Sequence, residues 1–154
     1  SDLIDKRGHL VAIRQALSGR KCICILSHIG EPSRECNICL GSGHAFVDRF
    51  IKVRKTRTTS INQSVGTENS SPLGIINAYD AIFYTNYIIR PSEQDFILEL
   101  ALNYVNQEPL VPFNVLRVYN ITDVRENRDQ NGRVEYFSMT AQNTPWPEFK
   151  IGTV

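Results

Sequence analysis

Four cysteines carry the most specific chemistry in this chain. They stand as Cys22-Ile-Cys24, an eleven-residue loop, and then Cys36-Asn-Ile-Cys39-Leu-Gly41-Ser-Gly43. All four lie within 18 of the 154 positions. Cysteines used only as small hydrophobes would be scattered, whereas two close pairs joined by a polar loop are the ligand pattern of one four-thiolate site. In the CxxC pair both sulfurs reach one ion from a tight turn. Gly41 and Gly43 free the backbone to curl back so that its N–H groups point at the thiolates. The CxC pair is the less usual half. Zinc held by Cys22, Cys24, Cys36 and Cys39 is the leading reading, with a disulfide cluster or two reduced buried pairs as alternatives. Four equivalent sulfurs leave no position open for water, so such a site is structural rather than catalytic. His28 and His44 flank the cluster and are candidate substitutes for a cysteine ligand.

Reactive constellations are otherwise missing. There is no Gly-rich phosphate loop ending in Lys-Ser/Thr and no G-x-S-x-G elbow. The histidines are His9, His28 and His44, and none stands beside a nucleophile outside the cysteine cluster. Asp80, Asp95 and Glu99 lie amid β-forming residues, where turn or edge positions explain them better than acid–base work. A non-enzyme is expected. Lys and Arg number 17 against 16 Asp and Glu, a net charge of +1, which argues against a dedicated nucleic-acid binder. No stretch approaches the ~18 apolar residues of a membrane span, and no secretory signal is expected at the start. The single basic cluster is Lys52-Val-Arg54-Lys55-Thr-Arg57. It reads either as a solvated strand end or as a contact for a polyanion or acidic partner.

The elements that must position these groups read as one domain over 1–154. Leu3, Leu10, Ile13 and Leu17 share a helical face and predict an N-terminal helix over 2–18, with Gly19 after it. The cysteine loop fills 20–44. His44 to Arg57 predicts a long strand with Val47, Arg49, Ile51, Val53 and Lys55 on one side. Residues 58–72 form a polar loop. Ile75 to Ile89 has room for one or two strands. Phe96 to Val105 is ambiguous between helix and strand, and a strand is favoured. Strands follow at Phe113–Val124 and Arg133–Gln142, joined by a hairpin at Asp129-Gln-Asn131-Gly132. The tail from 143 is expected to be extended and docked through Trp146. The fold class is therefore mainly β with an N-terminal helix: a small antiparallel β-barrel or sandwich plus a cysteine-stapled loop.

The order CxC, loop, CxxCxGxG and then an aromatic-containing strand resembles small virion proteins from the neck of tailed bacteriophages. The later half resembles head-closure or stopper proteins of the head–tail connector, in Ser92–Leu100, Phe113–Tyr119 and Arg133–Ala141. CxxCxGxG also resembles the zinc repeats of DnaJ-type chaperones, but those come as four copies and this chain has one. The connector resemblance implies a ring-forming structural subunit of the virion that joins portal or adaptor to tail proteins and lines a DNA channel. Its DNA contact is expected to lack sequence specificity, with Lys52, Arg54, Lys55 and Arg57 as channel or partner contacts. The alternative is a cellular zinc-stapled β-domain acting as an interaction adaptor.

Overall fold

The computed structural model describes residues 2–27, 30–36, 38–57 and 81–144. Their order is α1 (Asp2–Arg7), β1 (His9–Lys21), α2 (Ile23–Ser27), β2 (His44–Arg57), β3 (Ala81–Asn86), β4 (Phe96–Leu100), β5 (Val115–Arg128) and β6 (Val134–Thr144). The strands close into an antiparallel barrel in the order β1-β2-β3-β6-β5-β4, with β4 pairing back onto β1. Closure leaves the sheet without an open edge. The predicted loop at 58–72 and the Trp146 tail lie outside the described residues.

The predicted helix over 2–18 is corrected: it stops at Arg7, and His9 onward is strand. Gly8 makes the switch. Its N–H donates to the Ile4 carbonyl at 2.8 Å, ending the helix. A Cβ there would lie 2.2 Å from the Ile4 oxygen and 3.1 Å from the Val53 oxygen, so the close approach needs glycine. Beyond it, Val11, Ala12 and Ile13 are all buried. Such a run suits a strand covered on both faces, and the same residues imitate a helical stripe.

Alternation then sorts the side chains. Val11, Ile13, Ile51, Val53, Phe83, Ile97, Tyr119, Ile121 and Met139 fill the barrel, with Phe83 and Tyr119 packed edge to face at 5.1 Å. Ala81 and Ala141 face each other across β3 and β6 and leave room for these rings. A second cluster lies outside the wall: Ala12, Leu98, Leu100 and Val118, covered by Leu40, Phe96, Leu102 and Phe113. Burial on both faces explains why Phe96–Leu100 reads ambiguously from sequence; it is a strand.

Asp95 fixes the entry to β4. One carboxylate oxygen accepts the Ala16 N–H at 3.0 Å and the other the Ser92 N–H at 2.8 Å. The buried carboxylate thereby serves the turn, as its position in the sequence suggests. The β5–β6 turn also falls where expected, but it is longer than a two-residue turn. Gly132 N–H closes onto the Asp129 carbonyl at 3.0 Å, and Gly132 takes the positive φ of 78°. The Asp129 carboxylate caps it by accepting the N–H groups of Asn131 and Arg133.

Candidate metal centre

The cysteine segment is the excursion between β1 and β2. The ladder bulges between Ala16 and Lys21, with Gly19 at φ 73°, and its far end pairs Lys21 with His44. Cys22 N–H then donates to the Gly43 carbonyl at 2.8 Å, so both ends of the excursion are tied together. Cys22 follows β1 directly and Cys24 sits in α2, whose first turn closes through Ile25 N–H to the Cys22 carbonyl at 3.1 Å. The second pair occupies a tight knuckle. Leu40 N–H donates to the Cys36 carbonyl at 3.0 Å, and Ser42 donates to the Cys39 carbonyl through both N–H and hydroxyl. Leu40, Gly41 and Gly43 all take positive φ to complete the curl.

This folding brings the four sulfurs together. The Sγ atoms all lie within 4.8 Å of one another, with Cys22–Cys36 at 3.7 Å and Cys24–Cys39 at 3.5 Å. A disulfide would need about 2.05 Å, and all four cysteines are free. Sulfurs at the corners of a tetrahedron about 2.3 Å from a zinc ion would stand roughly 3.8 Å apart. The group therefore has the donor type, number and spacing to hold a metal ion. The anticipated backbone donors are also in place: Gly41 and Gly43 N–H groups serve the Cys39 sulfur, and those of Ile38 and Cys39 serve Cys36.

The thiols are not equivalent. Burial pushes Cys22 up to about 12, against the opposing Cys24 N–H and with help from the neighbouring thiols. Burial also raises Cys39. At Cys36 burial acts in the same sense, but the N–H groups of Cys39 and Ile38 and the thiols of Cys39 and Cys24 outweigh it, bringing Cys36 down to about 7. Cys22, Cys24 and Cys39 are buried, while Cys36 is partly exposed. His44 is exposed and stands outside the sulfur group, and His28 lies outside the described residues.

A polar pair that sequence reasoning missed anchors the centre to the barrel. Arg14, only 7% exposed on the outer side of β1, grips Asp48 of β2 with Nε to Oδ1 at 2.7 Å and Nη2 to Oδ2 at 2.8 Å. Its Nη1 donates to the Ile38 carbonyl inside the knuckle at 3.3 Å. An arginine amid an apolar strand was the available signal.

The basic cluster divides. Lys52 and Arg54 are exposed on the outer wall of β2, and Arg57 pairs with Ala81 in the ladder. Lys55 instead points into the barrel mouth. Its Nζ donates to Glu99 Oε1 and to Tyr119 Oη, each at 2.7 Å, and lies over the Tyr119 ring. Both charged side chains are largely covered, at 18% and 14% exposure. Glu99 is thus an interior counter-ion rather than an edge residue, and Asp80 lies outside the described residues. His9 stands at the same mouth, 3.9 Å from Glu99. Burial lowers its pKa, Glu99 opposes that shift, and Lys55 adds to it.

No helix among the described residues is long and apolar enough to cross a membrane. No protein-family model matches the chain, and no curated protein is significantly similar to it.

Proposed function

We propose that this chain is a zinc-stapled β-barrel subunit of a bacteriophage neck, a structural connector between head and tail. The observation that carries the zinc is the set of four free sulfurs within 4.8 Å of one another. Zinc suits this donor set, because thiolates fill all four tetrahedral positions and add folding energy without an open reactive position. Cys22, Cys24, Cys36 and Cys39 would be its ligands. Its role is to hold a segment poor in regular structure against the barrel wall, next to Leu40 and Phe46, which pack into neighbouring clusters.

The connector reading rests on the resemblance of CxC…CxxCxGxG and the later strands to neck proteins, and the closed barrel is compatible with it. A near-neutral chain suits a channel through which DNA must slide, since dense phosphate neutralisation would hold the DNA tightly. Lys52 and Arg54 remain the surface candidates for channel or partner contacts. Portal, adaptor and tail proteins are the expected neighbours, and the virion the expected location. The adaptor reading shares the zinc staple and differs in its partners. Gold-labelled antibody against the chain, applied to tailed particles from the source culture, separates the two. Label at the head–tail junction supports the connector. Unlabelled particles, with the chain recovered in cellular complexes, support the adaptor.

A further inference from the structure

The β4–β5 connection folds into a hairpin finger whose tip is built like an anchor. Leu102 bridges to Pro109, Asn103 N–H donates to the Glu108 carbonyl at 2.8 Å, and Gln107 N–H donates to the Asn103 carbonyl at 2.9 Å. The Asn103 side chain accepts Val105 N–H, the Asn106 side chain accepts Glu108 N–H, and Gln107 takes φ 57°. This network holds two large side chains in water: Tyr104 is 96% exposed and Val105 92%. A preformed turn loses little entropy on docking, and protruding aromatic residues are frequent interface anchors.

The same molecule carries a groove of about 230 Å³ between β2 and the end of β3, lined by Phe50, Lys52, Asn86, Ile88 and Ile89 among others. Ile88 is 75% exposed. Asn86 Oδ1, at the edge of this groove, is buried and accepts no hydrogen bond, although its amide nitrogen reaches Asp5. An orphaned buried acceptor costs about 1–3 kcal/mol until a donor reaches it. The groove therefore suits an occupant with an apolar body and a hydroxyl or N–H tip. Tyrosine is such a residue. Glu108 beside the finger tip also complements Lys52 on the groove rim. The base of the finger is already seated on its own barrel, where Phe113 meets Phe50 at 5.5 Å.

We propose that the Tyr104–Val105 tip of one copy docks in the Phe50–Asn86–Ile88 groove of a second copy. The ring of Tyr104 lies against Ile88 and Ile89, and its hydroxyl reaches Asn86 Oδ1 after a small turn of the amide. Tip and groove are different patches, so the contact is head to tail and propagates into a ring when its rotation closes. This deepens the connector reading and names the subunit interface on which a ring would rest.

The test places photoreactive benzoylphenylalanine at position 104 in the purified full chain. Isotopically light and heavy copies are mixed, irradiated and analysed by peptide mass spectrometry. Mixed-isotope cross-links to residues 50–52 or 85–89 are expected. In the unmodified chain, Val105→Ser and Ile88→Ser should each weaken self-association at least about tenfold by light scattering across a dilution series, the loss of a hot-spot contact. A chain that stays monomeric without cross-links between copies overturns the proposal, as do cross-links elsewhere or only within one copy. Zinc content and labelling of particles are unaffected by these outcomes, so failure here is distinguishable from failure of the neck assignment.

Discussion

Arg14 and Asp48 meet as a two-pronged ion pair, at 2.7 and 2.8 Å, on the outer wall of the barrel. The third prong of the guanidinium reaches the Ile38 carbonyl between the two cysteines of the knuckle. One side chain thus joins β1, β2 and the sulfur centre. Arg14→Lys keeps the charge but not the fork. Arg14→Ala should cost about 2 kcal/mol in urea unfolding, because the hydrogen bonds it removes are charge-assisted. Both variants should also release metal to a chromogenic chelator faster than the parent. Unchanged release would mean that the knuckle is held without Arg14.

Removing the metal should loosen the excursion between β1 and β2 more than the barrel. The barrel has its own core of Val11, Ile13, Phe83, Ile97 and Tyr119, whereas the excursion is organised around its sulfurs. After chelation, iodoacetamide should modify Cys36 first, since it is the least buried thiol and its pKa falls to about 7. Cys22, pushed up to about 12, should react late. Peptide mapping against time gives the order, and early labelling of Cys22 would contradict it.

Lys55 and Glu99 form the charged plug of one barrel mouth. Lys55→Met leaves the Glu99 carboxylate covered and without its cation, a change expected to cost about 3 kcal/mol. Lys55→Met with Glu99→Gln should recover much of that loss, because no uncompensated charge remains. A double-mutant cycle on chemical denaturation measures this. Additive losses would show that the two charges do not depend on each other.

His9 gives the fold a defined response to acid. Burial lowers its folded pKa below the ordinary value of about 6.5, so the folded state favours the neutral ring. Its contribution is fully present above about pH 6.5 and is lost as pH falls through the lower folded value. The melting temperature of the parent should therefore fall more steeply than that of His9→Gln between about pH 6.5 and 5. Parallel profiles would remove His9 from the acid response.

Much of the fold was legible from the chain. β2 runs over His44–Arg57 as the alternation indicates, the β5–β6 turn sits at Asp129–Gly132, and the cysteines converge. Each signal is local: period two, turn chemistry and ligand spacing. β1 was hidden because burial on both faces erases alternation, and Leu10, Ile13 and Leu17 happen to keep helical spacing. Barrel closure was also hidden, since β4 meets β1 through only a few pairs far apart in sequence. Lys55 is the instructive case. Alternation puts it on the side of Ile51 and Val53, which is the barrel interior, yet its basic neighbours suggested a surface patch. The partners that hold it there, Glu99 and Tyr119, come from other strands and could not be read locally.

The most direct measurement is the metal content of freshly purified protein, together with X-ray absorption at the zinc edge. One zinc per chain, bound by four sulfurs at about 2.3 Å, is the expected result, with all four ligands lost to labelling only after chelation. Metal-free protein in which Cys22, Cys24, Cys36 and Cys39 titrate as two disulfides would contradict the zinc staple.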